Sequence, residues 1–230
     1  MKYVISDIHG RLDKYKSILE LIEFSDEDEL YILGDAIDRG PDSLEVLKDI
    51  MSSPNMHMLM GNHEFMAIET ILSEDEESQW EKLDLWEYNG GAATYSKLLS
   101  LDAKERDKIA AFLVNLPTSI ETDVNGQRFH MVHGFPADNM KAQVWTRPKP
   151  NAPNPFMDRT LIIGHTPVML LHGNTNSEIQ KYIRKLRRRG EHLKIEHTDG
   201  FIDIDCGCST GAPESRLACL RLDDMKEFYA

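Results

Sequence analysis

The sequence predicts an α/β (α+β) fold, and three observations lead to that prediction. Short apolar runs alternate with helix-like segments over the first 63 residues, which is the βαβ pattern of a sheet with helices on its faces. The second half of the chain is richer in strand signals. Short polar motifs follow the strands, at the edge where open α/β sheets place their ligands. We therefore expect an active site at the carboxyl ends of the strands.

The first part of the chain supplies three predicted strands and two predicted helices. Residues 2–6 and 30–33 are short apolar runs, and residues 55–60 form a weaker, methionine-rich run. Between these runs, leucine, isoleucine and tyrosine recur at helical spacing over residues 12–24 and 43–51. The predicted order is therefore strand, helix, strand, helix, strand.

The remainder predicts a helical block followed by a β-rich half. Residues 64–115 are largely helical in pattern, with a turn at residues 89–91. A hairpin follows, because two strand-like runs flank Asn125-Gly126, a dipeptide typical of tight hairpin turns. Four prolines mark residues 147–155 as a loop. Further strands are predicted at residues 161–163, 168–171, 201–204 and 216–222.

Residues 176–192 have the pattern of an inserted amphipathic helix. Ile179, Ile183 and Leu186 share one face, and the segment carries the only dense group of basic side chains, namely Lys181, Arg184, Lys185, Arg187, Arg188 and Arg189. Two interpretations stay open: a solvated helix that packs by its apolar face, or a docking element for an acidic substrate or partner. No repeat or composition break divides the chain, so we predict a single domain over residues 1–230.

Composition narrows the classes of protein that the chain can represent. With 41% hydrophobic and 28% charged residues it is typical of a globular protein, and it has no apolar stretch long enough to span a membrane. The net charge of -13 argues against a general nucleic-acid binder. The first residues enter a strand directly, without a signal-peptide pattern. Three cysteines give no disulfide framework, so we expect reduced thiols and a cytoplasmic protein.

Five polar motifs carry the predicted chemistry. They are Asp7-Ile8-His9-Gly10, Gly34-Asp35-Ala36-Ile37-Asp38-Arg39-Gly40, Gly61-Asn62-His63-Glu64, His133-Gly134 and Gly164-His165-Thr166-Pro167. Their mixed nitrogen and oxygen donors suit Mn²⁺, Fe²⁺ or Zn²⁺ better than Mg²⁺ or Ca²⁺. Asp35 lies in a glycine-flanked turn, a position from which one carboxylate can bridge two cations about 3.5–4 Å apart.

His63 is a candidate general acid, because it follows Asn62 directly and is directed away from it. An imidazole with a pKa near neutrality can protonate a leaving alkoxide, and a carboxylate such as Asp38 would orient it. The simpler interpretation makes His63 a helix-start residue and Asp38 a helix cap. Within this set of motifs we favour the catalytic interpretation.

These motifs, in this order, resemble those of the calcineurin-like metallophosphoesterases. The closer resemblance is to the phosphoprotein phosphatase branch, which includes compact bacterial and bacteriophage-type serine/threonine phosphatases. It runs from residue 3 to about residue 207 and includes three further matches, Tyr88-Asn89-Gly90-Gly91, Trp145-Thr146-Arg147 and Ile204-Asp205-Cys206-Gly207. The resemblance implies a β-sandwich flanked by helices. Pro167 stands where many other branches have a second histidine ligand, which favours the phosphatase branch over nuclease-like branches.

The resemblance also implies which residues would act in the site. One cation would be held by Asp7, His9 and Asp35. The second would be held by Asp35, Asn62, His133 and His165. Arg39 and Arg147 would clamp the phosphate, while His63, oriented by Asp38, would protonate the leaving oxygen. A hydroxide bridging the two cations would attack in line, and Mn²⁺ is the expected metal, with iron or zinc as alternatives.

The predicted function is that of a serine/threonine protein phosphatase with a dinuclear metal centre. Its expected partner is a phosphoprotein, a phosphopeptide or a phosphorylated small molecule, with no nucleic acid and no membrane. The alternative is a symmetrical dinucleoside polyphosphate (diadenosine tetraphosphate) hydrolase, because those enzymes resemble the same motif set. A non-catalytic scaffold of this fold is a remote alternative, since every predicted ligand and acid position is filled.

Overall fold

Two five-stranded mixed sheets form the centre of the computed structural model, which describes residues 1–230. The strands are β1 (Lys2–Ile5), β2 (Glu29–Ile32), β3 (Met56–Met58), β4 (Ser119–Val124), β5 (Gln127–Val132), β6 (Thr160–Ile163), β7 (Glu196–His197), β8 (Ile202–Asp203), β9 (Ala218–Arg221) and β10 (Lys226–Tyr229). The helices are α1 (Leu12–Leu21), α2 (Ser43–Ser52), α3 (Asn62–Ile71), α4 (Glu76–Tyr88), α5 (Ala92–Ser100), α6 (Ala103–Val114), α7 (Met140–Trp145) and α8 (Asn176–Arg189).

Each sheet has three adjacent parallel strands. The first sheet has the order β10-β9-β1-β2-β3. In it β1, β2 and β3 are parallel to one another, and β9 runs antiparallel to both of its neighbours, β1 and β10. The second has the order β4-β5-β6-β8-β7, with β5, β6 and β8 parallel. The carboxyl ends of parallel strands lie along one edge of a sheet, which is where the polar motifs begin.

One buried apolar cluster joins the two sheets. Val4 and Tyr31 of the first sheet belong to the same cluster as Phe129 and Ile162 of the second. Their neighbours along the strands point the other way, because side chains alternate between the faces of a strand. Thus Ile5 packs with the helices α1 and α2 on the outer face. The α/β fold and the helix-flanked β-sandwich predicted from the sequence are confirmed.

The helical block predicted at residues 64–115 consists of α3 to α6. The strand predicted at residues 168–171 is wrong: Val168–His172 forms a 3-10 helix. A short apolar run does not distinguish strand from helix by its periodicity. Here Pro167 starts the turn, and both edges of the adjacent strand β6 are already occupied by β5 and β8.

The basic helix is three residues shorter than predicted. It begins with a capping box, in which Thr175 and Glu178 satisfy each other's backbone N–H groups. It ends at Arg189, because Gly190 adopts the left-handed conformation with φ of 63°. No helix of the chain combines the length and the apolar character needed to cross a membrane.

The inter-sheet cluster should contribute substantially to the stability of the fold. Phe129 is 1% exposed in that cluster, so Phe129→Ala should lower the free energy of unfolding by about 3–5 kcal/mol. The matched control Val114→Ala truncates a side chain that is 47% exposed, and it should change the free energy of unfolding by less than about 0.5 kcal/mol. Urea denaturation measures both values. A loss below about 1 kcal/mol for Phe129→Ala would contradict the sandwich arrangement.

Candidate metal centre

The six predicted metal ligands lie together at the strand ends and all are buried. Asp7 and His9 follow β1, Asp35 follows β2, and Asn62 begins the helix after β3. From the second sheet, His133 follows β5 and His165 follows β6. The site is therefore formed by both sheets, and residues 158 positions apart meet in it: the backbone N–H of His165 donates to Asp7 Oδ2 at 2.9 Å.

Asp35 lies at the centre of two groups of donor atoms. One group contains Asp35, His9 and His63, and the other contains Asp35, His133 and His165; within each group the ligand atoms lie within 4.8 Å of one another. Asp35 Oδ2 is 3.6 Å from His9 Nε2, and Asp35 Oδ1 is 3.3 Å from His133 Nε2. The two oxygens of one carboxylate therefore face different groups, as a ligand shared by two cations requires.

Two further predicted ligands lie at the margins of these groups. Asp7 Oδ1 is 3.9 Å from His9 Nε2, on the side of the first group. Asn62 Oδ1 is 3.0 Å from His133 Nε2, on the side of the second. Each group thus has a neighbouring oxygen donor from the predicted set.

The donor set fits divalent cations because its lone pairs face one another. The Nδ1 atoms of His9 and His133 donate to the backbone carbonyls of Ile37 and Leu33, at 3.0 and 2.6 Å, which leaves each Nε2 without a proton. His165 Nε2 is buried and has no hydrogen-bond partner. Burial lowers the pKa of His9 and His133, and that of His165 to about 2, so these imidazoles are neutral donors at pH 7.

The backbone of the site is held in an uncommon conformation. Nine non-glycine residues of the chain have positive φ, and six of them are predicted site residues: Asp7, His9, Asp35, Asp38, Arg39 and His165. The left-handed conformation costs a residue with a side chain about 1–2 kcal/mol. Such strain persists only where the surrounding structure imposes it, and it is concentrated at functional sites.

Glu64 imposes this conformation on the Asp35 turn, a role that the sequence analysis did not predict. Its fully buried carboxylate accepts the backbone N–H groups of Asp35 at 2.8 Å, Ala36 at 2.9 Å and Gly61 at 3.1 Å. Burial raises the pKa of Glu64 to about 7, and the N–H groups lower it. The spacing of Gly61 and Glu64 is that of a capping box, which is the sequence signal that could have identified the residue.

Glycine is required at Gly61 by the closeness of the Asp35 turn. A Cβ atom at Gly61 would lie 2.3 Å from Asp35 Oδ1 and 2.4 Å from the backbone nitrogen of Asp35. Real Cβ atoms essentially never approach other atoms so closely. The start of α3 and the turn after β2 can therefore meet only without a side chain at this position.

His63 and Asp38 form a buried pair beside the first donor group. His63 Nδ1 donates to Asp38 Oδ2 at 2.6 Å, and Trp86 Nε1 donates to the same oxygen at 2.6 Å. Asp38 Oδ1 has no partner, and burial raises the pKa of Asp38 to about 6. The Asp38 carboxylate therefore accepts hydrogen bonds from two side chains. The simpler interpretation of the sequence made Asp38 a helix cap, and these contacts do not correspond to one. Trp86 was not predicted as a partner.

Arg39 and Arg147 lie on the exposed side of the buried donors. The guanidinium of Arg39 donates to His9 Nε2 at 2.8 Å and to His63 Nε2 at 2.9 Å. Its backbone N–H donates to Gly90, which brings the turn after α4 to the site. Arg147 makes no hydrogen bond, but its positive charge adds to burial in lowering the pKa of His133 and His165. Two cationic groups thus border the buried donor atoms.

The chain is similar in sequence to a known protein family and to several of its members. A family model for the calcineurin-like phosphoesterases matches residues 3–168. Serine/threonine-protein phosphatase 2 of Salmonella typhimurium is 29% identical over 139 residues, which cover 60% of this chain and 60% of that protein. The symmetrical bis(5'-nucleosyl)-tetraphosphatase of Wigglesworthia glossinidia brevipalpis is 43% identical over 81 residues, 32% of this chain and 30% of that protein. The matches span less than two thirds of these relatives.

Solved structures with the same fold include members of both functional groups. A provisionally assigned diadenosine tetraphosphatase has a TM-score of 0.62 at 15% identity, covering 100% of this chain and 92% of its own. A protein serine/threonine phosphatase from Saccharomyces cerevisiae has a TM-score of 0.55 at 14% identity, and the match covers 100% of this chain and 78% of that one. At such low identity the likeness concerns the fold alone.

Burial of Asp38 leads to a prediction about stability. Its pKa is about 6 in the folded protein against 3.8 for an unperturbed group, so the folded state holds the proton more tightly and stability falls as the pH rises between these values. In metal-free protein, Asp38→Asn should therefore raise the free energy of unfolding by about 1–3 kcal/mol at pH 7 and by much less at pH 4. Urea denaturation at both pH values measures this, and a variant less stable than wild type at pH 7 would contradict it.

Proposed function

Because the chain belongs to the calcineurin-like phosphoesterase family, we propose that it is a metal-dependent phosphomonoesterase that acts on phosphoserine or phosphothreonine in proteins. The observation that carries this proposal is the pair of buried donor groups that share Asp35. Arg39 borders these groups and His63 belongs to the first of them, so a phosphate-binding cation and a proton donor lie beside the other predicted ligands. We further propose a cytoplasmic location, because the three buried free cysteines fit a reducing compartment.

In this proposal the donor groups hold two divalent cations. The first would be bound by Asp7, His9 and Asp35, and the second by Asp35, Asn62, His133 and His165. The geometry offers His63 as a ligand in place of Asp7, but a carboxylate compensates the charge of a divalent cation and a neutral imidazole does not. The mixed donors suit Mn²⁺ first, with iron or zinc as alternatives. When bound, the cations would supply Lewis acidity and a lowered pKa for the attacking water.

Arg39 and Arg147 would bind the phosphoryl oxygens. Arg39 now donates to two neutral imidazoles, and a phosphate dianion would be a stronger acceptor for the same N–H groups. The planar guanidinium can bind two oxygens at once and so orient the ester. Arg147, which lies two residues after the end of α7, would approach the phosphate from a second segment of the chain.

His63 would transfer the proton that the leaving group needs. Burial, and then the charge of Arg39, hold its pKa well below the usual value, so the free imidazole is neutral and its Nδ1–H donates a hydrogen bond to Asp38. A dianion bound beside it would favour the charged form, and the carboxylate of Asp38 would stabilise that form. Nε2 would then donate its proton to the leaving alkoxide.

No side-chain nucleophile is part of this proposal. The three thiols are buried, and burial raises the pKa of Cys206 well above its usual value and that of Cys208 to about 12. They are therefore protonated at neutral pH, whereas the thiolate is the reactive form. A direct attack by water fits these residues and forms no covalent phosphoenzyme.

The second candidate is a symmetrical dinucleoside polyphosphate hydrolase. Its support is the 43% identity with a symmetrical bis(5'-nucleosyl)-tetraphosphatase, which extends over 32% of this chain. The match to the protein phosphatase covers 60% of the chain, which is why we favour a phosphoprotein substrate. A non-catalytic scaffold has the least support, because the predicted ligands, the acid and both arginines are all present at the site.

A comparison of two substrates tests this choice. On Mn²⁺-loaded protein, kcat/KM for a phosphothreonine peptide should exceed that for diadenosine tetraphosphate by about tenfold or more. Asp35→Asn, which removes the ligand shared by both donor groups, is assayed in parallel and shows how much of each rate comes from a contaminating enzyme. A tenfold preference for diadenosine tetraphosphate would overturn the proposed substrate.

The role of His63 predicts a dependence on the leaving group. His63→Asn should lower kcat by about 10²–10⁴-fold for a phosphothreonine peptide, whose alkoxide must be protonated as it leaves. The same substitution should have a much smaller effect on an aryl phosphate with an acidic phenol, since that leaving group needs no proton. Steady-state kinetics on both substrates give the two ratios. Equal losses on both would show that His63 acts in another way.

A further inference from the structure

A basic cavity of about 920 Å³ lies between α8 and the 3-10 helix Val168–His172. Most of its lining residues come from α8, and they include five cations: Lys181, Arg184, Lys185, Arg188 and Arg189. Only two of its 12 lining residues are hydrophobic. The cavity is therefore suited to a polar, negatively charged ligand.

Helix α8 presents these cations because its opposite face is anchored in the protein. Ile183 and Leu186 are buried in the cluster between the sheets. Lys181, Arg184 or Lys185, and Arg188 follow one another at intervals of three or four residues, which places them along one side of the helix. Both interpretations of this segment thus hold in part: the helix packs by an apolar face, and it exposes a basic one.

The cations of this face lack ion-pair partners within the chain. Arg187 points elsewhere and pairs with the buried carboxylate of Glu214 at 2.5 Å, and Arg189 lies 4.0 Å from Glu191. The other four cavity cations form no ion pair. Like charges at this spacing destabilise a helix, so the face carries a cost that an external anion would remove. This arrangement contrasts with the net charge of -13 of the whole chain.

The cavity lies next to the candidate active site. Pro150 lines it, and Arg147, which borders the metal ligands, precedes Pro150 by three residues. Three residues span about 11 Å at most. Eleven of the 12 lining residues lie beyond residue 168, where the match to the family model ends. Most of the cavity wall therefore lies outside the segment that the family model matches.

We propose that this cavity binds acidic residues of the phosphoprotein substrate while the phosphorylated residue occupies the active site. The inference rests on the proposed function. The cations from Lys181 to Arg188 extend over about 10 Å of helix, which equals about three residues of an extended peptide. The cavity begins within about 11 Å of Arg147 and its cations extend over about 10 Å more. An extended peptide with its phosphorylated residue beside Arg147 would therefore place residues about three to six positions away against these cations.

A nucleotide fits the cavity less well than an acidic peptide. The two rings at its wall, His172 and Tyr182, stack on each other with centroids 4.0 Å apart. That separation leaves no space for a base between them. The rest of the wall is mainly charged and polar, which suits carboxylates.

The test compares acidic and neutral substrates on two variants. One phosphothreonine peptide carries three glutamates at positions three to six from the phosphothreonine, and its partner carries glutamines there. The variant Lys181→Gln/Arg184→Gln/Arg188→Gln removes the basic face, and Lys104→Gln/Lys108→Gln removes two exposed lysines of α6 as the matched control. All proteins are also assayed on an aryl phosphate, whose rate should not change.

Wild type should favour the glutamate peptide by about tenfold, mainly through KM, because each exposed ion pair contributes roughly a factor of two to three. The triple variant should lose this preference and the control should keep it. Equal rates of wild type on both peptides would overturn the docking site and leave the phosphatase proposal standing.

A binding measurement separates failure of the docking site from failure of the proposed function. If neither peptide is cleaved but diadenosine tetraphosphate is, the proposed function fails. Fluorescence anisotropy with the unphosphorylated glutamate peptide then decides on the cavity. Binding about tenfold weaker to the triple variant than to wild type supports the site, and equal binding overturns it.

Discussion

The hydrogen bonds from the Asp35 turn to the carboxylate of Glu64 are the constraint on which the site depends. Four backbone N–H groups donate to this one buried side chain, three of them from the turn itself, and they hold Asp35 in a left-handed conformation. In that conformation one oxygen of Asp35 faces His9 and the other faces His133. The two sheets each bring histidines to the same edge, and this turn places a carboxylate between them.

Much of the fold and most of the site could be predicted because their signals are local. Alternating apolar runs indicate β1, α1 and β2, and glycine-flanked polar motifs follow the strands directly. Glu64 and Trp86 were missed as partners because their contacts join segments that are distant in sequence: Trp86 reaches Asp38 across 48 positions. The 3-10 helix after Pro167 was missed because its four-residue apolar run also fits a strand.

Charge is distributed unevenly over the molecule, and this has consequences for both stability and specificity. Buried carboxylates such as Asp38, whose pKa is raised to about 6, oppose folding at neutral pH, and burial of this kind is typical of sites that trade stability for function. The shared family region ends at residue 168, and the basic face of α8 lies beyond it. In our proposal the chemistry of the centre and the choice of substrate therefore reside in different parts of the chain.

Anomalous diffraction from crystals grown with Mn²⁺ would locate the bound metal independently of any activity assay. We expect two peaks at the strand ends, about 3.5–4 Å apart, with Asp35 in contact with both, His9 in contact with one and His133 with the other. A single peak, or two peaks that Asp35 does not bridge, would contradict the dinuclear centre on which the proposed phosphatase rests.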